Sequence, residues 1–201
     1  MQAGRLAYVS LIWIMALRAG PALAQQAGHG VLEVDYIADR REAGAAAGDG
    51  YGYEVTAGYA PTGSVVVFGE YEHLLNALRP RLLGWQEEND YEPGVKLTYS
   101  VTPEVQWVTA LGYEVADVEA AAVASAERGY DLVQGLRIMP TPRLELIADL
   151  HYETVGPATT AVVLGFVQRF ASRFAFEGVL EHSRSEGRYD NNYRVGFRFY
   201  P

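Results

Sequence analysis

The chain has 201 residues, a formal net charge of -9 and no cysteine. That length suits one domain, and the acidity argues against a nucleic-acid partner. The missing thiols exclude a disulfide framework and thiolate chemistry.

Residues 1–24 read as a secretory signal. Arg5 supplies a positive start, Leu6 to Leu17 an apolar run, and Ala22-Leu23-Ala24 a small-x-small cleavage site. Cleavage near Ala24 leaves residues 25–201 as the folded domain. Its charge becomes -11, because the removed part carries Arg5 and Arg18 and no acid. No later apolar run approaches the roughly 18 residues of a membrane helix. If this domain crosses a membrane it must do so as a closed barrel, which pairs every backbone group without helices.

Ten alternating segments follow in order. The first is Val31 to Ala38, with Leu32, Val34 and Tyr36 on one face and Glu33 and Asp35 on the other. The second is Tyr51 to Tyr59. The third, fifth, seventh and ninth read as one strand written four times: Thr62 to His73, Thr102 to Tyr113, Thr141 to Tyr152 and Ala171 to His182. Each opens on small or Pro residues and then alternates. Between them run Gly94 to Val101, Tyr130 to Ile138 and Thr160 to Phe170, and Asn192 to Phe199 is last.

A strand sends successive side chains to opposite faces, so each segment has an apolar face and a polar one. A soluble barrel would put the apolar face inside. A transmembrane barrel would put it against lipid. Connections decide between them. Those at Pro61, Pro103, Pro142 and Ser172 are tight. Those at 39–50, 74–91 and 116–128 are long, 184–191 is moderate and 155–159 is short. Short turns at one end and long loops at the other are the outer-membrane pattern. The expectation is an all-β, antiparallel, up-and-down transmembrane barrel of ten strands, with eight as the alternative. Its short turns and both termini are periplasmic and its longer loops extracellular. Tyrosines and phenylalanines gather near the strand ends as two girdles.

Val67, Trp107, Leu111, Leu146, Leu150, Phe176, Phe197 and Phe199 then face lipid. The opposite parity gives a lumen ion network of Glu70, Lys96, Arg137, Glu145, Asp149, His151, Arg173, Glu177, Arg194 and Arg198. Three segments share the phrase Gly94-Val95-Lys96, Gly135-Leu136-Arg137 and Gly196-Phe197-Arg198, with the cation on the inner parity. Gly165-Phe166-Val167-Gln168 is a weaker form. Ion pairs filling a narrow lumen satisfy buried charge without a separate apolar core.

Catalytic signals are sparse. Asp149, His151 and Glu153 share one face, but a lumen histidine hydrogen-bonded to acids explains them better than a metal site. Glu181-His182-Ser183 invites a hydrolase reading, yet neighbours on a strand point to opposite faces, so the serine lacks its base. No catalytic residue, metal or cofactor is assigned. The apolar connection Leu74 to Tyr91 fits lipopolysaccharide contact or an extended strand. Ala116 to Ala126 fits a short loop helix or a flexible cap.

The secretory start, the Thr-Pro hairpins and the aromatic terminus Tyr193-Arg194-Val195-Gly196-Phe197-Arg198-Phe199 resemble the small Gram-negative outer-membrane β-barrel superfamily. Relatives usually finish on the aromatic itself; here Tyr200 and Pro201 follow. The Gly-x-Lys/Arg phrases and the strand ends Gly112-Tyr113-Glu114 and His151-Tyr152-Glu153 resemble more narrowly the xanthomonad-type small outer-membrane protein once proposed as an activator of plant immunity. The resemblance implies export to the outer membrane, insertion by the barrel assembly machinery, and contact with lipid and lipopolysaccharide. The expected function is a non-enzymatic, monomeric barrel with a structural or surface-interaction role. The alternatives are a narrow channel for small solutes or ions and a lipid-modifying enzyme.

Overall fold

The computed structural model of the chain describes residues 29–42, 49–77, 85–120 and 123–201. They form ten strands: β1 His29–Glu42, β2 Asp49–Thr62, β3 Val65–Ala77, β4 Trp85–Thr102, β5 Val105–Ala120, β6 Val123–Thr141, β7 Leu144–Glu153, β8 Thr159–Arg169, β9 Phe174–Ser185 and β10 Arg188–Phe199. Each pairs antiparallel with the next, and β1 pairs with β10 from Leu32↔Phe199 to Glu42↔Tyr189. The sheet therefore closes with ten strands, not eight, and none of the described residues is helical. The signal segment lies outside the described residues.

The polarity is inverted relative to a soluble barrel. Leu150 is 57% exposed, whereas Asp149 beside it is 7% exposed. Val67, Trp107, Leu111, Leu146 and Phe197 are likewise exposed. Phe176 and Phe199 share the outward parity but are half-buried. Phe176 lies between Phe166 and Phe197, and Phe199 against Phe174. An exterior this apolar belongs in hydrocarbon. Leu164, exposed midway along β8, sits near the centre of the belt. Leu164→Arg should lower folding free energy in lipid vesicles by about 2–4 kcal/mol, read as a lower urea midpoint. Leu164→Phe should leave the midpoint within experimental error.

The Thr-Pro turns have a local cause. The Thr102 hydroxyl accepts the Glu104 N–H at 3.3 Å, and the Thr141 hydroxyl accepts the N–H groups of Arg143 and Leu144 at 3.3 and 3.1 Å. Thr62 accepts from Ser64 at 3.4 Å. Pro103 and Pro142 fix their own φ at the first turn position, where Thr62 is followed by Gly63 instead, and the threonine hydroxyl supplies the acceptor that the turn lacks. The register shifts at each of these three corners.

The opposite end differs from the expected loops. Residues 74–77 and 85–91, and 116–120 and 123–128, continue the strands. Ala116 to Ala126 is accordingly strand wherever it is described, not a loop helix. The 184–191 connection tightens to Glu186-Gly187, both at positive φ (48° and 80°), the left-handed pair of a two-residue hairpin turn.

The lumen also has an apolar floor that parity alone did not predict. Ile147, Val167 and Ala175 cluster near the turn end, and Tyr200 packs against them. The Tyr200 N–H donates to the Arg173 carbonyl at 2.9 Å, and the Arg169 guanidinium stands 4.6 Å from the Tyr200 ring centroid. The residue trailing the last strand thus turns in under the lumen.

Candidate functional site in the lumen

Three arginines organise the interior. Arg137 on β6 makes a two-pronged pair with Asp149 on β7, its second contact being 2.7 Å, and reaches Glu145 at 3.5 Å. Arg198 on β10 holds Glu33 of β1 at 2.7 Å and Glu177 of β9 at 2.6 Å. Arg194 reaches across β1 to Glu54 of β2 at 2.6 Å and meets Glu181 of β9 at 3.5 Å. Each guanidinium offers a planar fork of donors that suits two carboxyl groups at once.

The Gly-x-Lys/Arg phrase is explained by what lies over its glycine. A Cβ on Gly135 would fall 1.6 Å from Asp149 Oδ1, so the acid that holds Arg137 lies across the glycine two residues before it. A Cβ on Gly94 would fall 2.3 Å from Phe68 Cζ, and Lys96 Nζ stands 5.7 Å from that same ring centroid. Gly196 is covered by Asp35 in the same way. In the first two phrases the missing side chain is the space that the cation's partner occupies. In the weaker β8 phrase the cation position is taken by Val167, which joins the apolar floor.

Of the expected network, Glu145, Asp149, Glu177, Arg137, Arg194 and Arg198 are brought into ion pairs. Glu70 lines the lumen and accepts from the Thr56 hydroxyl at 3.2 Å. His151 is inside, with Nδ1 3.8 Å from Asp131 Oδ2, beyond hydrogen-bond length. Lys96 lines the lumen but has no carboxyl group within 4.0 Å among the described residues; its neighbour is Phe68. Arg173 is a correction. It is exposed in the turn before β9 and stands outside the network. Parity carried back from Glu177 put it inside, but the chain bends at Phe170 and Ala171, whose N–H groups both donate to the Phe174 carbonyl at 3.2 Å.

Glu33, Glu54 and Glu181 are the network members that the expected set omitted. All three share the inner parity of their strands, which was the available signal. Ligand atoms of Glu33, Asp35 and Glu54 lie within 4.8 Å of one another. Arg198 already grips Glu33, and Arg194 grips Glu54. Two fixed cations within hydrogen-bond distance of these acids oppose a metal ion there.

Charge is sorted along the strands. On β4, Lys96 is followed away from the turn end by Glu92, Asp90 and Glu88. On β6, Arg137 is followed by Asp131. On β7, Asp149 is followed by His151 and Glu153. All of these line one cavity of about 390 Å³. The cations sit toward the floor and the mouth is acidic.

The hydrolase reading has no geometric support. His182 faces outward, stacked on Tyr189 at 5.5 Å and 11°, with Nδ1 2.9 Å from Asn191 Oδ1. Ser183 lines the cavity on the opposite face.

No protein-family model matches the sequence, and no curated protein does. Solved structures do. The NanC porin aligns with 83% of this chain and 98% of its own at 10% identity, TM-score 0.50. Ail, the attachment invasion locus protein of Yersinia pestis, in complex with the heparin analogue sucrose octasulfate, aligns with 88% of this chain and all of its own at 11% identity, TM-score 0.48. The translocator domain of the autotransporter NalP from Neisseria meningitidis aligns with 99% of this chain and 94% of its own at 14% identity, TM-score 0.47. At these identities the likeness is one of fold. The chain has the closed, antiparallel, up-and-down β-barrel fold seen in the NanC porin.

Proposed function

We propose that the protein is a non-enzymatic, monomeric barrel of the Gram-negative outer membrane with a side-chain-filled lumen and a structural or surface-interaction role. Export by a Sec-type signal cleaved near Ala24 and insertion by the barrel assembly machinery bring it there. The short turns then face the periplasm, and the long strands rise among lipopolysaccharide. The observation that carries this reading is the cross-bracing of the lumen by ion pairs. Arg137, Arg194 and Arg198 tie six of the ten strands together above a floor of Ile147, Val167, Ala175 and Tyr200. Barrels of about eight strands are filled by side chains, and open channels need many more. The narrower sequence resemblance to the xanthomonad-type surface protein points the same way.

Planar bilayers test it. The purified barrel should show no sustained conductance steps. Sustained current would replace this reading with the narrow channel. The acidic mouth around Glu92, Asp131 and Glu153 favours cation selectivity in that case. Mass spectra of lipid A with and without the protein should be identical; a lost or added acyl chain would instate an enzyme.

A further inference from the structure

Strand β6 outruns the strand that follows it. Its pairing with β7 ends at Asp131↔Glu153. Its pairing with β5 continues without a shift to Ala120↔Val123. Residues 123–129 therefore have a strand on one edge and, among the described residues, none on the other. Thr154 closes the paired part: its N–H donates to the Tyr130 carbonyl at 3.0 Å, and its hydroxyl accepts the Tyr130 N–H at 2.8 Å. The chain then turns back through Gly156 at φ 60°. That turn packs on Gly129, where a Cβ would fall 2.5 Å from the Val155 nitrogen.

The direction of the unpaired groups follows from Tyr130. Both backbone groups of a strand residue point to one side, and the side alternates with each residue. Tyr130 presents its groups to β7, so Arg128, Ala126 and Ala124 present theirs to the open edge. Natural edges are blunted by proline, charged side chains, bulges or a covering loop. Val123-Ala124-Ser125-Ala126 has no proline, charge or bulge; charge begins only at Glu127 and Arg128, next to the Gly156 turn.

We propose that this edge, Ala124 to Arg128, takes an extended basic segment of another protein as an added strand. Main-chain hydrogen bonds supply the affinity in this mode, and side chains supply the selection. Here the selecting charge is negative. Asp117, Glu119 and Glu127 are exposed around the edge against Arg128, and Asp117 stands opposite the small Ala126 in the β5–β6 register. A lysine on the added strand passes over Ala126 toward Asp117. A second copy is the poorer occupant. Two barrels standing the same way in one membrane bring their β6 edges together parallel, with like charges facing. The proposal rests on the outward orientation of the long strands for its biological setting, but not for its test, which uses the full chain folded in detergent micelles and is indifferent to sidedness and conductance.

The probe is a labelled seven-residue peptide alternating lysine and valine. It should bind by fluorescence anisotropy and slow amide exchange at Ala124, Ala126 and Arg128 at least about tenfold, while leaving Ser125 and Glu127 unchanged. Ala126→Pro removes one open-edge donor without touching the β5 ladder. It should weaken binding about tenfold, the worth of one or two ladder bonds, with unboiled gel mobility unaltered. The same peptide with glutamate for lysine should not bind. Absent binding, equal binding to Ala126→Pro, or equal binding of a peptide with alternate N-methylated amides would overturn the proposal. Concentration-dependent dimers protecting these amides without peptide would overturn it in favour of a second copy.

Discussion

Arg198→Ala is expected to destabilise the barrel by about 3–5 kcal/mol, the cost of removing one partner from a buried charged set. Glu177 is wholly buried, and its Oε1 has no hydrogen-bond partner; only Oε2 is held, by Arg198. Glu33, on the far side, is held by the same guanidinium. Alanine leaves two acids facing each other inside the barrel without their shared cation. Lysine keeps the charge but not the fork, so Arg198→Lys should fall between alanine and wild type. Adding Glu33→Gln and Glu177→Gln to Arg198→Ala should recover more than half of the loss, since uncompensated charge rather than lost packing then dominates. The measurement is urea unfolding from lipid vesicles, followed by tryptophan fluorescence and by mobility in unboiled gels. A loss under about 1 kcal/mol for Arg198→Ala would mean that water already solvates these acids, and the ion-pair-braced lumen would fall with it.

Strand parity was the most legible feature of the chain. Leu146, Leu150 and Phe197 alternate with Glu145, Asp149 and Arg198 because lipid and lumen impose opposite chemistry on the two faces of one strand. The same logic explains where legibility ended. Beyond Tyr113 and Tyr130 exposed polar residues stand on both faces of β5 and β6, among them Asp117, Glu119, Ser125, Glu127 and Arg128, so polarity no longer alternates. Ala116 to Ala126 then reads as a loop although its described residues pair as strand. Arg173 shows the converse failure: its parity is right and its backbone is not, because the turn before β9 leaves the sheet plane.

The partner of each cation was illegible for a different reason. Gly135-x-Arg137 is visible as a phrase, but that Asp149 lies over Gly135 depends on the β6–β7 register. The floor was missed because Val167 and Ala175 are unremarkable residues until Tyr200 packs against them. Glu33, Glu54 and Glu181 had the correct parity and no phrase around them, so nothing singled them out from other lumen acids.

Register also decides what a glycine does, and Gly52 carries the second large effect. It sits in the ladder between Ile37 of β1 and Leu74 of β3, both buried. A Cβ there would fall 1.9 Å from the His73 carbonyl oxygen and 2.9 Å from Leu74 Cδ2. The nearer neighbour is backbone, so no rotamer change relieves the contact; β2 and β3 must part. Gly52→Ala should therefore cost more than about 2 kcal/mol, toward the upper end of what overpacking does, and the folded gel band should weaken. Gly69, on the adjacent strand, has nothing within 4 Å of its Cβ position. Gly69→Ala should be neutral or add up to about 1 kcal/mol, because alanine restricts the unfolded chain more than glycine does. Equal urea midpoints for the two variants would show that β2 and β3 are farther apart than the register between Gly52 and Leu74 requires. A low midpoint for Gly52→Ala alone would tie the closeness of these strands to a position whose need for glycine no sequence pattern announces.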